Sequence, residues 1–183
     1  MAHFEHTAGT IVAIVGDASD EALAILDSLP GVESLWLHDT EPALATRRIA
    51  RTGTPWVAHD ADPLGHVAAA WVELFEERTT LGALEAEVDN ALELFEAGAA
   101  LMPDYYVVLD PQEAPDTWRH WWCGALGHRA PRRVLPVSGS APARASALRQ
   151  ILTHLPPSRP WPDPASWLPH LPYAVPDRVG LRS

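Results

Sequence analysis

The stretch TIVAIVGD, residues 10–17, decides how the rest of the chain is read. Its first six residues are apolar or β-branched, too short a run for a useful helix, and Gly16-Asp17 closes it. Such a run is a strand covered on both faces, as in a parallel sheet between two helical layers. YYVVLD, residues 105–110, repeats the pattern and again ends on an aspartate. Working outward, the periodicity predicts strands at 10–15, 34–38, 55–58, 105–109 and 133–137. It predicts helices over 20–29, 42–52, 65–78, 81–101, 117–126 and 143–155. Within 65–102, the residues Leu74, Phe75, Leu84, Val88, Leu92 and Phe95 form the expected buried face. Strand–helix alternation implies an α/β three-layer sandwich with a mainly parallel, Rossmann-like sheet, spanning residues 1–155 as one domain.

From Pro156 the composition changes. Residues 156–178 hold eight prolines with Trp161 and Trp167, which excludes a central strand or regular helix. The proline-rich tail, 156–183, is expected to strap over the domain, drawn by Arg159, Arg178 and Arg182 to an acidic body. The alternative is a docking arm for a protein partner, with the tryptophans and Tyr173 as anchors.

The 183 residues are 47% hydrophobic and 20% charged, which excludes a disordered chain, and no apolar run is long enough to span a membrane. A single cysteine, Cys123, and an opening MAHFEHTAGT without a basic segment point to a cytoplasmic protein. All thirteen basic residues are arginine, as in GC-rich bacterial coding sequences. The net charge of −11 is uneven: 22 acids and four arginines precede residue 118, and nine arginines and two acids follow. So acidic a chain lacks the footprint of a general nucleic-acid binder.

In a parallel sheet, ligands bind beyond the carboxyl ends of the strands. Asp17, Asp39, His59 with Asp60, and Asp110 stand there, although an aspartate after a strand also caps the next helix. There is no P-loop, GxGxxG, GxSxG or paired CxxC. Two clusters carry metal-ligand types, His59-Asp60-Ala61-Asp62 with His66, and His120 to Cys123 with His128. Neither has the matching second half that zinc requires.

The order of phrases across residues 10–113 carries a stronger signal. Leu26-Asp27-Ser28-Leu29, Asp39-Thr40, Ile49-Ala50-Arg51 and Leu109-Asp110 follow one another as in family 2 glycosyltransferases, and the stretch resembles their GT-A nucleotide-binding half. The resemblance implies a nucleotide-sugar ligand, with Asp17, Asp39 and Asp110 facing one crevice. It implies a Mn or Mg ion on the DxD carboxylates, here Asp110 with Glu113, because Gln112 replaces the second acid. Arg129, Arg132 or Arg133 would assist on the diphosphate. The family's Asn-Glu turn is Asp17-Ala18 here, and its Gly-Ser-Thr-Asp is Glu41-Pro42-Ala43-Leu44. No general base is identified.

Three functions follow. The first is a transferase moving a sugar from a nucleotide donor to an acceptor. The second is a catalytically inactive GT-A-like domain serving as a binding or assembly subunit. The third is a nucleotide or methyl-donor enzyme on another Rossmann-type sheet, against which the first turn, GDAS, argues by lacking the glycine-rich pattern.

Overall fold

The run that opens the chain lies at the centre of the sheet. β1 (Thr10–Val15) pairs in parallel with β3 (Trp56–His59) on one side and β4 (Tyr105–Leu109) on the other. β2 (Val32–Leu35) lies outside β3, and β5 (Val134–Val137) outside β4. The order β2-β3-β1-β4-β5 is parallel throughout and matches neither of the two common doubly wound orders. The computed structural model describes residues 9–156 and 161–173.

Parallel pairing needs crossovers, and these are helical. They are α1 (Ser19–Asp27), α2 (Pro42–Ala50), and the pair α3 (Gly65–Phe75) and α4 (Leu81–Glu96). After β4 come α5 (Asp116–Arg119), a π-helical turn over His120–Leu126 and α6 (Gly127–Arg129); α7 (Ala141–His154) follows β5. Alternate residues of β1 separate the layers. Val12 and Ile14 pack with Leu23 and Leu26 of α1 and Leu148 of α7. Ala13 and Val15 share a core with Trp71 and Val72 of α3, Leu84 of α4 and Trp121 of the π-helical turn. Ile11 meets Ala45 and Ile49 of α2. The three-layer sandwich is therefore present.

β1 and β4 occupy their expected bounds. The second strand ends at Leu35, three residues early, because the Leu37 N–H is taken by a carboxylate oxygen of Asp60 and not by a strand neighbour. The helix expected to reach 78 ends at Phe75, where Glu77 turns to φ 58°, and the one expected to reach 101 ends at Glu96 before Gly98 at φ 66°. The predicted helix 117–126 is wound largely as a π-turn. Of the expected buried face, Leu84 and Val88 are enclosed, while Leu74, Phe75, Leu92 and Phe95 lie partly buried against the same core. Its centre is Trp71, fully buried and tilted against Trp121 at 5.7 Å.

The tail residues 161–173 form two 3₁₀ turns, Pro164–Ser166 and Leu168–Tyr173. Trp161, Trp167, Leu168 and Leu171 are buried in the core that holds Trp71. The Trp71 indole N–H donates to the Leu171 carbonyl at 3.1 Å, and the Tyr105 hydroxyl donates to the Pro156 carbonyl at 2.9 Å. This part is a strap and its tryptophans are not free anchors; Tyr173, 67% exposed, stands outside it. Arg159, Arg178 and Arg182 lie outside the described residues, so the expected charge attraction does not enter. No helix among the described residues is long and apolar enough to cross a membrane.

Gly16 ends β1 at φ 113°, and a Cβ there would stand 2.8 Å from the Leu109 carbonyl oxygen. Gly16→Ala is thus expected to cost more than about 1 kcal/mol, read from the urea midpoint, because both backbone conformation and space oppose it.

Candidate functional site

Beyond β1 the chain turns to α1 on one face of the sheet, and beyond β4 it turns to α5 on the other. This divergence opens a cleft of about 640 Å³ at the carboxyl edge. Asp17, Glu21, Asp110, Glu113, Trp118, Trp122 and Arg144 contribute to its lining. Asp110 has φ 44°, a left-handed conformation that aspartate tolerates. Its Oδ1 accepts the Gly139 N–H at 3.0 Å, and its Oδ2 pairs with Arg144 Nη2 at 2.7 Å. Arg144, reaching in from α7, also pairs through Nη1 with Glu21 at 3.0 Å and donates to the Gly139 carbonyl. Arg144 stands four residues before Leu148 and seven before Ile151, on the apolar stripe of 143–155, so helical spacing turns it inward without saying which acids it meets.

The resemblance implies a Mn or Mg ion held by Asp110 and Glu113, and the residues present do not fit one. Both Asp110 oxygens are engaged, one by the Gly139 N–H and the other by the Arg144 guanidinium, which already brings a positive charge to the carboxylate. The Gln112 side-chain oxygen accepts the Ser138 hydroxyl at 2.6 Å. Glu113, on the rim, is the carboxylate left to such an ion from this turn, whereas hard divalent cations take several oxygens.

The expected grouping is met in part. Asp17 and Asp110 share the cleft, but Asp39 does not, because β3 lies between β2 and β1. Three strand spacings, about 14 Å, separate the ends of β2 and β4. Asp39 is exposed and pairs with His38 Nε2 at 3.0 Å. Arg129, Arg132 and Arg133 precede β5 and so fall at the amino edge of the sheet, opposite the cleft. There Arg133 donates to the Asp104 carbonyl and lies 6.0 Å from the Trp161 ring centre. These arginines are not positioned to meet a diphosphate beside Asp110.

A second cavity, about 390 Å³, opens beyond β2 and β3 and is bounded by α2 and α3. His38, His59, Asp60, Asp62 and His66 contribute to it. Asp60, its side chain 3% exposed, pairs with His38 Nδ1 at 2.9 Å, and this bond together with Asp39 raises the His38 pKa. Asp20, His38 and Asp60 bring three possible ligand atoms within 4.8 Å of one another, yet the Asp60 oxygens are already occupied by His38 and the Leu37 N–H. The Tyr106 hydroxyl and the Leu64 N–H both donate to Asp62 Oδ1 at 2.9 Å, while burial pushes the Asp62 carboxyl up. In the other sequence cluster, burial raises the Cys123 thiol, so little of it is the reactive thiolate.

His59 is fully buried and neither ring nitrogen has a partner at good hydrogen-bond geometry; burial lowers its pKa from 6.5 to about 4, opposed by the Asp60 charge and the nearby Ala61 backbone. Between those values the unfolded chain takes up a proton that the folded protein refuses, so stability falls as pH drops from about 6.5 to about 4. The gap corresponds to a loss on the order of 3 kcal/mol. Asp62, whose folded pKa is raised by burial, acts in the opposite sense from its ordinary value upward. His59→Leu is expected to flatten this acid limb relative to the wild type, as measured by urea midpoints across the interval.

Compared with known protein families, curated proteins and solved structures, the chain matches none of them.

Proposed function

We propose that the chain is a glycosyltransferase-like domain that binds the glycosyl end of a nucleotide sugar in the β1–β4 cleft and holds it without transfer. The observation that carries this reading is a pair of buried donors without partners, Trp122 Nε1 and Arg144 Nε, on two residues that line the cleft. The cleft otherwise offers the acceptor carboxylates of Asp17, Glu21 and Glu113. Sugar hydroxyls donate and accept at once, so a mixed set of this kind suits them. Trp118 and Trp122, with ring centres 5.2 Å apart, add an aromatic surface of the sort on which a sugar ring packs.

Charge orients the ligand. Asp17, Glu21, Asp110 and Glu113 face a single cation, Arg144, so an uncharged glycosyl end enters and a diphosphate stays at the mouth. The engagement of Asp110 supports loss of transfer, because from its turn only Glu113 is then left to hold the ion that neutralises a leaving diphosphate.

The test is a thermal-shift panel of UDP-glucose, GDP-mannose and their nucleoside diphosphates, with manganese and with EDTA. At about one hundred times Kd, a binder of the folded state adds about 2.7 kcal/mol. For a chain of this size that raises Tm by roughly 5–10 °C. The expected result is a shift with a nucleotide sugar, smaller with the diphosphate alone, and unchanged by EDTA. No shift across the panel overturns binding, and release of nucleoside diphosphate on incubation overturns the absence of transfer.

A further inference from the structure

We propose that the cavity beyond β2 and β3 is a second binding site, independent of the cleft and suited to a small uncharged amide with an apolar body, held by His59. Strand alternation sets the direction. His59 follows Val57 by two residues, Val57 packs with Ala45 and Ile49 of α2, and the cavity lies on that same face of the sheet. Its walls are largely apolar, including Leu37, Ala45, Ile49, Leu94 and Leu101. A buried polar group without a well-formed partner costs free energy that a ligand can recover, and both His59 ring nitrogens lack a partner at good geometry, the Ala61 backbone interacting only weakly.

The chemistry of the ligand follows from that of the ring. Burial keeps His59 neutral, so it presents one N–H donor and one bare nitrogen acceptor. An amide supplies both complementary types in one group. The lining contains no arginine to balance a carboxylate, and Asp60 would repel one. An ammonium would answer the bare nitrogen alone, and the same burial that suppresses charge on His59 and Asp62 would oppose it. The volume of about 390 Å³ lies within the range of small-molecule sites.

The experiment uses three near-isosteric probes, benzamide, benzoate and benzylamine, titrated into the full chain and read by NMR at the His59 imidazole and the Trp122 indole N–H. Benzamide is expected to shift the His59 signal saturably and leave Trp122 unmoved, with the two charged probes weaker by about tenfold or more. Ala45→Leu, which fills the cavity from α2, is expected to abolish the His59 response. Should that variant fail to fold, Ala100→Leu blocks the same space from the loop after α4. No saturable change at His59 overturns the proposal, as does equal or tighter binding of benzoate or benzylamine. A response at Trp122 alone also overturns it, since the probe would then occupy the β1–β4 cleft, whose own reading is tested separately by nucleotide sugars.

Discussion

Trp71→Ala is expected to lower stability by about 3–5 kcal/mol, the range for removing a large aromatic side chain from a core. The Trp71 ring is fully buried, meets Phe75 at 4.6 Å and Trp121 at 5.7 Å, and carries the N–H that holds the Leu171 carbonyl. Against a typical total of about 5–15 kcal/mol the loss is large, and Tm is expected to fall by roughly 6–20 °C. The strap supplies the second half of the effect. With Trp71 gone, Trp167, Leu168 and Leu171 lose part of the surface they cover, so residues 161–173 should become open to proteolysis before the sheet does. Trp71→Phe separates the terms, since it keeps an aromatic ring and removes only the N–H and part of the volume. A loss below about 1 kcal/mol for the alanine variant would show that the tail and the helical layer are held together elsewhere.

Arg144→Met should be the most costly change in the cleft. It leaves the Asp110 carboxylate beside Glu21 with no counter-charge, and breaking a buried pair by removing one partner costs about 3–5 kcal/mol. Because Asp110 and Glu21 retain some solvent contact, about 3 kcal/mol is expected. Asp110→Asn in the same chain should recover most of that loss, and a double-mutant cycle in urea measures the coupling. The single variant should also gain affinity for manganese, read by calorimetry, because Asp110 Oδ2 is released from the guanidinium. If Arg144→Met is neutral and gains no manganese affinity, the arginine is not what keeps a cation from this turn.

Legibility in the sequence differed with the distance over which each feature is determined. β1 and β4 could be read directly because TIVAIV and YYVVL carry their whole signal within themselves. The end of β2 could not, since it is set by Asp60, 23 residues beyond Leu37. The acids at strand ends were legible as a class, but which of them share a cleft depends on lateral strand order, which periodicity does not report. Asp39 was therefore grouped with Asp17 and Asp110 although a strand intervenes. Arg144 was missed for the same reason in stronger form, since its partners lie 34 and 123 residues away. Arg129, Arg132 and Arg133 were expected on the diphosphate in place of part of a cation's charge, but residues that precede a parallel strand stand at its amino edge, away from the cleft.

The position of β1 in the sheet has a kinetic consequence. Its partners are Trp56–His59 and Tyr105–Leu109, so the second of its two flanks cannot be closed until more than ninety further residues have been made. At typical synthesis rates of about 5–20 residues per second, that interval is on the order of 5–20 s. During it, a six-residue apolar strand has at least one open edge, the kind of segment that invites pairing with another chain. The sheet centre also depends on contacts distant in sequence, which slows its closure once the chain is complete. Yield in the cell should therefore respond to holdase chaperones more than the stability of the finished protein would suggest.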